Sequence, residues 1–154
     1  MTPAILLREL EESYRRARAT LGSADPEQVI YEESGWRVKD IAAHVATWDA
    51  EALRSIYAHR RGSEYSIPNF VDKDDFNAFA AHVRMDEPME RIMADWDATV
   101  QWLNLLTRSM TPDDLAAEMT HPSGKRGGVG ELLAELAEHR ETHMDDIRAA
   151  MKVE

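Results

Sequence analysis

Residues 129–151 read VGELLAELAEHRETHMDDIRAAM, and the spacing of their apolar side chains decides the architecture. Val129, Leu132 and Leu136 lead into His139 and His143, then Ile147 and Ala150, at intervals of 3, 4, 3, 4, 4 and 3. That is the repeat of one helix face, so a helix is expected here with both histidines directed at a core.

Three more stretches carry the same repeat. Leu7, Leu10, Tyr14, Ala17 and Leu21 form one row, opened by Thr2-Pro3 and stopped at Gly22. A second helix is expected from Val38 toward Arg61, ending at Gly62, with Val38, Ile41, Val45, Trp48 and Ala52 inward. A third opens around Asp86-Glu87-Pro88 and buries Met89, Met93, Trp96, Val100, Leu103 and Leu106. Shorter helical pieces are expected after Asp25-Pro26-Glu27-Gln28, around Phe76 to Val83, and after Thr111-Pro112. The segment His121 to Gly130 holds four glycines and a proline, too many for extended regular structure. Strand-like alternation is nearly absent. The reading is all-α: an antiparallel four-helix bundle with short extra helices in its connections, residues 1–154 forming one domain.

Composition limits the function. There is no cysteine, so disulfides, thiolate ligands and a cysteine nucleophile are excluded together, and a transition metal would need imidazole or carboxylate. Without a long apolar run or a signal-type N-terminus, neither a membrane span nor secretion is expected, and the chain reads as cytoplasmic. Eighteen Lys and Arg stand against 29 Asp and Glu, a formal charge of −11, from which no nucleic-acid partner is expected. The Arg15-Arg16-Ala17-Arg18 cluster, close to Glu9, Glu11 and Glu12, reads as a solvated helix face.

His139 and His143 stand one turn apart, a spacing from which two imidazoles can reach one ion. The alternative is a pair of core histidines satisfied by hydrogen bonds. A zinc-protease helix is excluded, because Arg140 occupies the position where H-E-x-x-H carries its glutamate. On the second helix His44 lies at the edge of the inward stripe and is the candidate third ligand, with Trp48 one turn on as a pocket wall. Asp40 suits the first turn of that helix. His59, His82 and His121 offer weaker cases.

These residues resemble a known family. The run Gly35-Trp36-Arg37-Val38-Lys39-Asp40 through His44 and Trp48 is similar to the second-helix signature of the DinB/YfiT-like superfamily. Thr111-Pro112-Asp113-Asp114-Leu115, His121-Pro122-x-Gly124, and Glu131-Leu132-Leu133 through His139-x-x-x-His143 resemble its later segments, in the same order. Arg37 departs from the small hydroxyl residue that caps this helix in many relatives. The resemblance implies a bundle, often a homodimer, with a divalent metal (nickel or zinc) held by His44, His139 and His143. It further implies S-transferases or isomerases that use bacillithiol or mycothiol, and hydrolases, acting on a small-molecule electrophile. It assigns no catalytic residue. A non-catalytic metal-binding or stress-response protein on the same bundle is the competing expectation, and a bundle without metal is the third.

Overall fold

The computed structural model describes residues 1–152, so the last two positions of the expected domain lie outside the described residues. The chain runs α1 (Pro3–Ser23), β1 (Val29–Tyr31), β2 (Trp36–Arg37), α2 (Val38–Arg60) and α3 (Lys73–Arg84). It continues through α4 (Met89–Arg108), α5 (Pro112–Ala116), β3 (Glu118–Thr120), β4 (Arg126–Gly128) and α6 (Val129–Met151). The four long helices are α1, α2, α4 and α6. None of the described helices is long and apolar enough to cross a membrane.

Local chemistry sets the helix ends. Thr2 Oγ1 accepts from the Ile5 N–H at 3.2 Å, and Pro3 fills a first-turn position where no N–H is needed. Such a cap contributes about 1 kcal/mol. At α2 the Asp40 carboxylate accepts from the Arg37 backbone N–H at 2.9 Å and from the Arg37 side chain, so it satisfies the first turn as expected. Arg37 also reaches Glu27 at 2.7 Å, and clamps the preceding turn rather than acting as a cap. Gly62, with φ +81°, turns the chain out of α2 through a left-handed conformation that favours glycine.

The core divides along the bundle into two apolar clusters. One gathers Ala17, Ile41, Val45, Trp96, Met144 and Ile147; the other gathers Leu6, Leu10, Ile56, Leu103, Leu133 and Leu136. Residues of the first cluster come late in α1 and α6 but early in α2 and α4. So α1 and α6 run in one direction, and α2 and α4 in the other. The long stretch between α2 and α4, which includes α3, is therefore a crossover that returns the chain to the end where α2 began. Between the clusters lies a polar belt of Ser13, Asp49 and Arg140, each flanked in its own helix by members of both.

Two connections differ from expectation. After Asp25 the chain makes a turn rather than a helix: Asp25 Oδ1 accepts from the Glu27 N–H at 3.0 Å, and the Asp25 carbonyl accepts from Gln28 N–H at 3.1 Å. The chain then enters β1, which pairs antiparallel with β2. The glycine-rich segment forms the antiparallel hairpin β3–β4, pairing Glu118 with Gly128 and Thr120 with Arg126. At Gly127 a β-carbon would stand 2.8 Å from His121 Cε1, so the hairpin's glycine makes room for that ring. In the helices, Leu106 and Met89 are only half-buried, while Ile92 and Thr107 take part in the buried face of α4.

Candidate metal centre

His44 on α2 faces His139 and His143 on α6 across the bundle. The His44 and His139 Nε2 atoms lie 2.9 Å apart, and the His143 and His139 Nε2 atoms 3.1 Å apart. Nitrogen atoms of all three rings lie within 4.8 Å of one another. The setting keeps them neutral. Burial, then the proximity of His139 and His143, pushes His44 down to about 2; burial, then His143 and Arg140, brings His139 down to about 4. Burial lowers His143 as well, and the Asp146 carboxylate opposes the shift. A neutral imidazole offers one lone pair, the form in which it binds a metal. Two donors each about 2.1 Å from a tetrahedral ion stand roughly 3.4 Å apart, a spacing close to that between these nitrogens. The donor set fits a divalent transition-metal ion.

The histidines sit differently on α6 than the apolar spacing implied. His44 is 8% exposed, but His139 and His143 are half-buried, and the centre of the buried face is the row Leu133, Ala137, Arg140, Met144, Ile147. The correction is a rotation of the inward stripe by one position. It turns the two imidazoles toward a cavity instead of the middle of the core.

That cavity measures about 710 Å³ and contains the three histidines in its wall. Trp48 lines it, as do Trp36 and Phe70. Trp36, not Trp48, is the ring beside His44, with centroids 5.0 Å apart. Trp48 instead donates its Nε1–H to Asn77 Oδ1 at 2.7 Å and meets Phe76 edge-on, which fastens α3 against α2. Lys73 and Asp74 of α3, and Lys125 and Glu135 near β4 and α6, mark its charged margin. His121, which offered little on sequence grounds, is 1% exposed and lines the same cavity; its Nε2 lies 3.0 Å from the Gly128 carbonyl. His82 is exposed and His59 half-buried, both away from the cavity.

Behind His143 stands a residue that the sequence did not single out. The Tyr31 hydroxyl lies 2.7 Å from His143 Nδ1 and donates to Asp146 Oδ2 at 2.5 Å. Burial, then the Asp146 hydrogen bond, raises the phenol's pKa above its ordinary value, so it keeps its proton. No short-range pattern marks Tyr31, because its partners lie 112 and 115 residues further along the chain.

A four-helix bundle whose second and last long helices bring three neutral histidines to the wall of a cavity defines the class. The chain belongs to the DinB superfamily, whose family model matches residues 2–147. No curated protein matches it. Solved structures share the fold at low identity. The mycothiol-dependent maleylpyruvate isomerase superposes with a TM-score of 0.71 at 17% identity, over 96% of this chain and 61% of its own. This chain thus spans less than two thirds of that protein. The colibactin self-resistance protein ClbS, crystallised in complex with a dsDNA, gives a TM-score of 0.78 at 14% identity, over 98% of this chain and 96% of its own. An uncharacterised protein from Escherichia coli UTI89 gives 0.77 at 16% identity, over 96% of this chain and 91% of its own.

The ClbS complex corrects the expectation that nucleic acid is excluded as a partner, since nucleic-acid binding occurs on this fold. The physical reason is that net charge sums over a whole surface, whereas phosphate contacts are made by a local patch. A formal charge of −11 therefore does not decide the matter.

Proposed function

We propose that this protein is a metal-dependent enzyme in which His44, His139 and His143 hold one divalent ion, nickel or zinc, for chemistry on a small electrophile. The observation that carries this reading is the convergence of three neutral imidazoles on an accessible cavity. A closed structural site would have its remaining positions filled by protein groups; here the cavity adjoins the cluster. When bound, such an ion supplies Lewis acidity, bringing a coordinated water's pKa toward about 7 or favouring the thiolate of a coordinated thiol.

The chain's own residues supply binding and exclusion of water. Trp36, Trp48 and Phe70 give the cavity flat apolar walls suited to the body of a small organic substrate. We favour the thiol branch, with mycothiol or bacillithiol as co-substrate, on the strength of the superfamily resemblance and of the fold shared with a mycothiol-dependent isomerase. A cytoplasmic homodimer is part of the same reading.

The test has two stages. Elemental analysis of untagged protein, with and without His44→Ala, asks whether the cluster binds metal; equal metal content in both would overturn the assignment. Metal-loaded protein is then offered a panel of electrophiles, including a cis-enoic diacid such as maleylpyruvate, with and without mycothiol or bacillithiol. Turnover that needs the thiol supports transfer or isomerisation, and turnover without it supports hydrolysis. No turnover with either would leave the non-catalytic reading in place of the enzyme.

A further inference from the structure

Tyr31 belongs to β1, outside the four long helices, yet its hydroxyl touches two side chains of α6. A phenol has one proton to give and a carboxylate can only accept. The 2.5 Å contact to Asp146 takes that proton. Toward His143 Nδ1, 2.7 Å away, the phenol oxygen then has only lone pairs to offer, so Nδ1 must carry the hydrogen. A neutral imidazole has a single N–H, which leaves the lone pair on Nε2, the atom that faces His139 Nε2 at 3.1 Å.

We propose that Tyr31 and Asp146 are positioning residues that hold His143 in the Nδ1–H tautomer, with its Nε2 lone pair directed at the bound cation. This rests on the metal reading above and adds to it the groups that prepare one ligand. A ligating histidine commonly donates its second nitrogen to a carboxylate, which fixes the ring and strengthens it as a donor. Here a phenol is inserted between imidazole and carboxylate, and the carboxylate acts through it. The pieces are held in place from both sides. Asp146 stands three residues after His143 on the same helix, and the Tyr31 ring meets the His143 ring at 62° with centroids 5.9 Å apart. The strand carrying Tyr31 is pinned to the start of α2, where the Val38 N–H donates to the Gln28 carbonyl at 2.9 Å.

Two measurements test the relay. In metal-free protein at neutral pH, long-range proton–nitrogen correlation spectra report which ring nitrogen of His143 carries the hydrogen. Wild type is expected to show Nδ1–H, and Tyr31→Phe a shift toward Nε2–H. Competition with a chromogenic zinc chelator should give a loss of about 10- to 100-fold in zinc affinity for Tyr31→Phe, the range found for outer-shell partners. Asp146→Asn, which keeps an acceptor without the charge, should lose less. Tyr57→Phe, at an exposed phenol, serves as the unchanged control.

An Nε2–H His143 in the wild-type protein would overturn the proposal, as would wild-type zinc affinity in both Tyr31→Phe and Asp146→Asn. The tautomer does not depend on metal. A wild type that shows Nδ1–H but binds no zinc would therefore overturn the metal reading and the cation-directed part of this proposal, leaving only the hydrogen-bond assignment supported.

Discussion

Arg140 and Asp49 form an ion pair with no solvent exposure on either side chain, Nη2 to Oδ2 at 2.8 Å. Arg140 follows His139 by one residue and Asp49 follows His44 by five, so the pair fixes the rotation of α6 against α2 at the level of the site. Arg140 also donates to the Leu10 carbonyl at 2.9 Å and to Ser13 Oγ at 3.2 Å, while Trp96 donates to Asp49 Oδ2 at 2.7 Å. One guanidinium and one carboxylate thereby join all four long helices. Burial pushes the Asp49 carboxyl up, and Arg140 and the Trp96 donor oppose that shift.

Breaking this pair is expected to be expensive. Arg140→Met strands the Asp49 carboxylate, and Asp49→Asn strands the guanidinium; each should lower stability by about 3–5 kcal/mol. For a chain of this size that corresponds to a melting temperature lower by roughly 10 °C, readable by circular dichroism. A loss below about 1 kcal/mol in both variants would show that the belt does not hold the helices together.

Single alanine substitutions of His44, His139 and His143 should each abolish stoichiometric zinc uptake. Zinc present at about 100 times its dissociation constant should stabilise wild type by about 2.7 kcal/mol, and this increment should vanish in each variant. Thermal denaturation with and without zinc measures it. An undiminished increment in any one variant removes that residue from the ligand set.

The metal-free protein should lose stability on mild acidification. The folded chain holds His44 at about 2 and His139 at about 4, whereas an unfolded histidine titrates near its ordinary 6.5. Below that value the unfolded chain binds protons that the folded one refuses, so this contribution is complete above pH 6.5 and declines as pH falls toward 4 and below. Each such histidine adds a slope of about 1.4 kcal/mol per pH unit inside its window. Urea titrations between pH 7.5 and 4.5 should show the decline, flattened in His44→Phe. A flat profile for wild type would mean the rings protonate freely in the fold.

Gly127→Ala should disturb the cavity wall from behind. The new β-carbon would meet His121 Cε1 at 2.8 Å and Nε2 at 2.9 Å, and the buried ring has to move away from the Gly128 carbonyl. Overpacking of this kind costs about 1–3 kcal/mol. Chemical denaturation gives the cost, and an unchanged midpoint would show that the ring adjusts freely.

The bundle was legible because its helices are long and their apolar residues recur without interruption; the second and last helices begin at Val38 and Val129 as read. The strands were not, since segments of two or three residues are too short to display alternation. The spacing on α6 identifies the histidine pair, but a row drawn through the histidines misplaces the inward direction. The row Leu133, Ala137, Arg140, Met144 and Ile147 has the same helical spacing and is buried throughout, whereas the row through the histidines is buried at Val129, Leu132, Leu136 and Ile147 but not at His139 and His143. Arg140 makes the first of these rows look polar in the sequence. The signal that would have rescued it is Asp49, a lone acid amid the apolar face of α2 and a candidate buried partner. Tyr31 had no local signal at all, because its role exists only once β1 is folded against α6.

The crossover and the two hairpins give the molecule a division of labour. The long helices furnish the three imidazoles, while the flanking walls are drawn largely from connections: Trp36 from one hairpin, Phe70 from the crossover, and His121 and Lys125 from the other hairpin. Helix positions are tied to one another through the core, so a change there propagates; connections tolerate substitution and insertion far better. Selection can therefore rewrite the lining of the cavity while leaving the imidazole cluster untouched, which makes the scaffold a frame for diversification rather than a commitment to one cavity shape.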